Sequence, residues 1–131
     1  MSLVDNKKAG FNYEITDKYE AGIELLGHET KSLRQKRGSL EGAYVKIRGS
    51  EAFLVGATIP PFQPGNTPKN YDPERVRRLL LTKQELKYLT GRDSEKGLTL
   101  IPLSLYNKGR FIKLSFGVAR NKKKFDKRED I

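Results

Sequence analysis

Apolar and polar residues alternate with a period of two over Phe11, Tyr13 and Ile15, and again over Tyr19, Ala21, Ile23 and Leu25. That period belongs to half-buried strands. Both runs share one phase, so a single long bent strand and a hairpin about Asp17-Lys18 satisfy the pattern equally. In either case Glu20 points outward. After Gly27 the period lengthens and predicts a helix from about His28 to Arg37, with Glu29 in its first turn and Lys31 and Arg34 one turn apart on one face. Lys36 and Arg37 fall in the last turn, where cations suit the helix dipole, and Gly38 is placed to take the left-handed cap.

Ala43, Val45 and Ile47 then alternate with Tyr44, Lys46 and Arg48, and after Gly49-Ser50 the residues Phe53, Val55, Ala57 and Ile59 alternate again, which predicts a hairpin. Four prolines between Pro60 and Tyr71 indicate an exposed loop. Asp72-Pro73-Glu74 reads as a helix start, with Val76, Leu79 and Leu80 on its apolar face and Arg75 and Arg78 as a basic ridge. Thr82 and Glu85 form a capping box for a second short helix carrying Leu86 and Leu89 as far as Gly91. Leu98 and Leu100, then Ile101, Leu103 and Leu105, are strand again, and the change of phase beside Pro102 predicts a bulge or a sheet edge. Past the turn at Asn107 to Arg110, Ile112, Leu114, Phe116 and Val118 face inward and Phe111, Lys113 and Ser115 outward.

The flanks lack this patterning. Residues 1–10, with Lys7 and Lys8, read as a flexible basic arm, and residues 121–131 as the start of a basic tail. The elements number about six strands and three short helices. They predict a mainly β chain with one domain over residues 1–120, an OB-type antiparallel barrel with helices in its connections.

Composition narrows the chemistry. Lys and Arg number 26 against 16 Asp and Glu, a formal charge of +10 with a pI near 9.8, which favours a polyanionic partner and nucleic acid first. No apolar run is long enough to span a bilayer and the start carries no signal-peptide core, so a cytoplasmic protein without a membrane partner is expected. The absence of cysteine and the single histidine, His28, exclude disulfides, thiolate zinc sites and histidine-rich metal sites. His28 stands at a helix start without a nucleophile motif and reads as structural or surface. Glu20 and Glu24 suit pairing with Lys or Arg better than holding a metal for a nuclease. No enzyme, metal or cofactor is expected. Basic side chains of the arm, of the 28–37 helix, of outward strand positions and of the tail spread over much of the surface. Tyr44, beside Lys46 and Arg48, either stacks a base or flanks a cross-strand neighbour. A carboxylate among these charges is tolerable at an RNA site when it accepts from a base edge or a 2′-hydroxyl, or orders an arginine, and an ordinary surface ion pair explains Glu20 about as well.

The runs Asn6-Lys7-Lys8-Ala9, Tyr19-Glu20-Ala21-Gly22-Ile23, Glu29-Thr30-Lys31-Ser32-Leu33-Arg34, Ala43-Tyr44-Val45, Arg77-Arg78-Leu79-Leu80-Leu81, Leu103-Ser104-Leu105-Tyr106 and Asp126-Lys127-Arg128 occur in one order over nearly the whole chain. Together they resemble the small protein B family, the bacterial partner of transfer-messenger RNA. The resemblance implies an OB-type barrel with three helices and no catalysis. It also implies a monomer that binds the tRNA-like domain of that RNA and rescues stalled ribosomes in trans-translation. It would stand in the decoding region of the small subunit and meet elongation factor Tu indirectly, through the RNA. Family RNA contacts map to Glu20, Leu80 and Lys113. Periodicity agrees that Glu20 and Lys113 face outward, whereas it puts Leu80 in the core. Lys7, Lys8, Lys31, Arg34 and Tyr44 complete the candidate RNA-binding set. Lys122, Lys123, Lys124, Asp126, Lys127 and Arg128 match the start of the family's tail, which enters the messenger channel and is disordered without the ribosome. Departures are Asn121 for a glycine and Thr30 for a valine. Relatives continue past the counterpart of Ile131, so binding of the free RNA is expected of this chain, and its work on the ribosome is the part at stake. The alternative is a nonspecific single-stranded RNA binder on the same barrel, using Tyr44 and Phe111 as stacking platforms.

Overall fold

A computed structural model describes residues 2–63, 65 and 67–122. Its elements in chain order are β1 (Ser2–Asp5), α1 (Ala9–Asn12), β2 (Tyr13–Ile23), α2 (Gly27–Arg34), β3 (Tyr44–Arg48), β4 (Glu51–Val55), β5 (Arg77–Leu80), α3 (Lys83–Asp93), β6 (Leu98–Lys108) and β7 (Phe111–Asn121). Every pairing is antiparallel, and the order β6-β3-β4-β5-β2-β7 returns from β7 to β6, so the sheet closes on itself with β1 added against β6. Mainly antiparallel strands in a closed ring with short helices fit the OB-type architecture.

The early alternation is one strand. β2 pairs with β7 from Tyr13 to Gly22, and a register shift between Ile15 and Asp17 bends it without a hairpin. Gly117 of β7 makes the bend possible, since a Cβ there would lie 2.6 Å from Ile15 Cγ2 and 2.9 Å from the Asp17 carbonyl oxygen. The shift in β6 falls between Pro102 and Ser104, where the change of phase foretold it. It lets Leu100 and Leu105 join the main core with Leu33, Leu54, Leu114, Phe116 and Val118, while Ile101 joins Ala9 and Ala119 in a smaller cluster.

Four expectations are corrected. The arm is packed, because Val4 and Asp5 pair with Leu105 and Ser104, and Leu3 and Val4 are buried in the main core. Two apolar residues against an otherwise uncovered stretch of β6 outweigh the polar composition around them. Phe11 lies in α1 rather than in a strand. Helix α2 stops at Arg34, because Lys36 and not Gly38 takes the left-handed turn at φ 59°. The N–H groups of Lys36 and Arg37 donate to the carbonyls of Leu33 and Ser32, which closes a Schellman cap.

The fourth concerns residues 72–81, expected as a helix. The Asp72 carboxylate and carbonyl accept from the N–H groups of Glu74 and Arg75, one turn that goes no further. Arg77 to Leu80 then form β5, joining β4 to β2 with Ala52 opposite Leu79 and Leu80 opposite Gly22. Filling that gap completes two ladders of backbone hydrogen bonds that a helix here would leave open. The period becomes two, with Arg77 and Leu79 buried and Arg78 and Leu80 exposed. Leu80 is therefore not core.

What makes buried Arg77 possible is Glu29, in the first turn of α2. Neither side chain is exposed to solvent. The Glu29 carboxylate accepts from Arg77 Nη2 at 2.6 Å, Arg75 Nη2 at 2.6 Å, the Tyr71 hydroxyl at 2.9 Å and the Leu26 N–H at 2.8 Å. Arg77 also donates to the carbonyls of Ala57 and Pro73, both at 2.9 Å. Burial would push the Glu29 carboxyl up, but donors from Arg75, the Leu26 N–H and Arg77 outweigh it and hold it at about 2. The His28 ring sits edge-on to Tyr71 with centroids 4.5 Å apart, a packing position. The Thr82–Glu85 capping box forms as expected, and α3 runs on through Gly91 to Asp93.

Candidate nucleic-acid interface

On the outer face of the sheet one register row crosses four strands: Leu80 of β5 lies opposite Gly22 of β2, Gly22 opposite Lys113 of β7, and Lys113 opposite Tyr106 of β6. Period two puts Glu20 on this same face, one pair along, opposite Ser115, which itself faces Ser104. The small side chains of Ser115 and Ser104 leave the lane over β7 open. Glu20 and Tyr106 meet across it, bridging two strand spacings of roughly 10 Å, and the Tyr106 hydroxyl donates to Glu20 Oε2. Lys108 Nζ donates to Oε1 at 2.9 Å, and Lys113 Nζ stands 3.5 Å from the same oxygen.

These donors settle the ionisation of Glu20. The Tyr106 hydroxyl, then Lys108, with Lys113 adding its charge, hold the carboxyl at about 2. The Tyr106 phenol is pushed up to about 12, by burial first and then by the carboxylate. At neutral pH the cluster holds one negative and two positive charges, so its net field still attracts phosphate while a fixed carboxylate remains to accept from a hydroxyl or an amine. Leu80, half exposed, and the bare backbone of Gly22 form an apolar floor beside it, where a Cβ on Gly22 would come 3.3 Å from Leu80 Cβ.

Tyr106 and Lys108 were missing from the sequence-based set, though a two-residue turn at Gly109-Arg110 fixes Lys108 opposite Phe111 and Tyr106 opposite Lys113. Arg34 joins the same end of the molecule, its Nη2 donating at 2.7 Å to the Arg110 carbonyl in that turn. The remaining candidates are elsewhere. Lys31 lies with its Nζ 5.8 Å from the Phe62 ring centroid, Lys7 is exposed, and Lys8 is paired with Glu41 at 2.8 Å. Lys8 and Tyr44 line a cleft of about 270 Å³ with Thr99, seven residues along β6 from Tyr106, roughly 20 Å at the rise of a strand. Lys122 ends the described chain, its N–H bonded to the Asn12 carbonyl at 3.0 Å, and Lys123, Lys124, Asp126, Lys127 and Arg128 lie outside the described residues.

Residues 3–131 match the model of the family described as SmpB protein. The chain belongs to the SmpB family. Two SmpB relatives, each named SsrA-binding protein, come from Gloeobacter violaceus and Ralstonia pickettii. The first is 50% identical over 98% of this chain and 84% of its own length, the second 48% over 98% and 87%. The fold agrees with a solved SmpB structure described as "tmRNA-SmpB: a journey to the center of the bacterial ribosome", with a TM-score of 0.78 and 38% identity over 98% of this chain and 94% of that one. The family expected from the sequence motifs is the family found.

Proposed function

We propose that this protein binds the tRNA-like domain of transfer-messenger RNA through the outer face of β2, β5, β6 and β7, and accompanies it to stalled ribosomes in trans-translation. The observation that carries the reading is the meeting of Glu20, Lys113 and Leu80 on one face. SmpB relatives named for binding SsrA, and a neighbouring structure described as tmRNA-SmpB, support it. Lys108 and Lys113 meet phosphates, Glu20 accepts from hydroxyl or base donors of folded RNA, and Leu80 covers apolar ribose or base surface. Arg34, Lys31, Lys7 and Lys8 extend the positive field, and the tail from Lys122 onward meets the small subunit's decoding region. The protein acts in the bacterial cytoplasm as a monomer without catalysis, and elongation factor Tu is met through the RNA alone.

Competition binding tests this. The tRNA-like fragment is expected to displace labelled transfer-messenger RNA far better than unrelated structured RNA of equal length at matched salt. Equal competition by the two would refute the proposal.

A further inference from the structure

Asn6 lies between β1 and α1, in neither element, and both of its donors are turned on β6. Its N–H donates to the Leu103 carbonyl at 2.8 Å, and its side-chain Nδ2 donates to the Pro102 carbonyl at 2.9 Å. In a regular strand successive carbonyls point to opposite edges. These two both turn toward the β1 side, which is the mark of the bulge between Pro102 and Ser104. A plain backbone neighbour has one N–H to offer at such a place, whereas Asn6 brings a second donor on its side chain.

The bulge decides which residues of β6 reach the outer face. Leu100 is buried opposite Val118, and an unbroken period of two from Leu100 would carry Tyr106 and Lys108 inward with it. The extra residue reverses the phase. Leu105 takes the core place opposite Leu114, and Tyr106 comes out opposite Lys113, two residues before Lys108. Both then hold the Glu20 carboxylate. Pro102 has no N–H for the ladder with β7, so pairing on that side is weakest where the phase turns, and the β1 side has to supply the hold.

We infer that Asn6 is a positioning residue of the Glu20 face: by gripping the β6 bulge with two donors it keeps Tyr106 and Lys108 beside Glu20, and so sets discrimination between RNAs without touching the RNA. The inference rests on the reading of that face given above. It separates Asn6 from its neighbours Lys7, an exposed cation, and Lys8, paired with Glu41.

The test is a double-substitution cycle on the full chain, at a temperature where every variant is folded. Affinities for the tRNA-like fragment and for unrelated structured RNA of equal length are compared. Asn6→Ala is expected to lower the preference for the tRNA-like fragment about tenfold. In a Tyr106→Phe background the same substitution should cost clearly less, because the hydroxyl it positions is already gone. Costs that simply multiply would mean that Asn6 acts on its own, and would overturn the inference. A second measurement needs no RNA. The nuclear Overhauser contact between the Tyr106 ring and the Lys113 side chain should weaken in Asn6→Ala and in Asn6→Asp alike, since neither variant side chain donates to Pro102. A contact as strong as the parent's in both variants would also overturn it. Should the parent show no preference for the tRNA-like fragment while both variants lose the contact, the proposed function falls and Asn6 remains the residue that positions this face.

Discussion

Glu29 and Glu20 stand nine positions apart in the chain and have the same kinds of partner: two basic side chains and a tyrosine hydroxyl. Both carboxyls are held at about 2. They differ in burial and in the choice of base. Glu29 is wholly enclosed and meets arginines, whose planar forks fix several hydrogen bonds at once and stay charged in a dry interior. Glu20 is open to water and meets lysines, compact hydrated charges on flexible stems that can turn from a carboxylate to an incoming phosphate. One cluster fastens the 71–77 segment to α2. The other presents an adjustable surface. The same ionic chemistry gives stability where water is excluded and recognition where it is not.

The sharpest way to break the comparison is Arg77→Ala, which leaves a buried carboxylate short of a partner. It is expected to cost about 3–5 kcal/mol in urea denaturation, whereas Lys108→Ala at the open cluster should cost less than about 1 kcal/mol. Similar losses at the two sites would end the distinction.

Acid separates the clusters next. Glu29 has a folded pKa below its ordinary 4.5, so its stabilisation is fully present above that value and is lost as pH falls toward about 2. A melting series over this window should show the loss in the parent, smaller than that of Arg77→Ala because a neutral carboxyl still hydrogen-bonds. Glu29→Gln should flatten the dependence over this window, and Glu20→Gln should flatten it by less, because water screens the open cluster.

On the open side Lys113→Glu places a second carboxylate beside Glu20. It should weaken binding of the tRNA-like RNA by about 1.5–3 kcal/mol and lower the salt slope by about one. An unchanged slope would take Lys113 out of the interface. The smallest effect expected is that of Tyr106→Phe, which deletes only the hydroxyl that holds Glu20. Discrimination between tRNA-like and unrelated RNA should fall by about 1 kcal/mol with the melting temperature nearly unchanged. Full retention of discrimination would show that Glu20 needs no positioning.

Much of this arrangement was legible along the chain. Strict alternation along β2 and β7 is enough to put Glu20 and Lys113 on their outward faces. The Gly49-Ser50 hairpin, the phase change at Pro102 and the Thr82–Glu85 cap were equally plain. In each case the signal is contained within one element: a side-chain period, a turn residue or a cap three positions long.

The remainder depended on partners distant in sequence. Val76, Leu79 and Leu80 suit a helix taken alone, and only the vacant edges of β4 and β2 make residues 77–80 a strand that buries Arg77 and turns Leu80 outward. Leu3 and Val4 look like an arm until β6 offers them a place. Glu29 reads only as a first-turn acid until Arg75, Arg77 and Tyr71 come to it from more than forty residues away. Local period and capping geometry were written in the sequence. Which edge is filled and which charge is enclosed are properties of the closed sheet, because backbone pairing and desolvation are satisfied only by the whole fold.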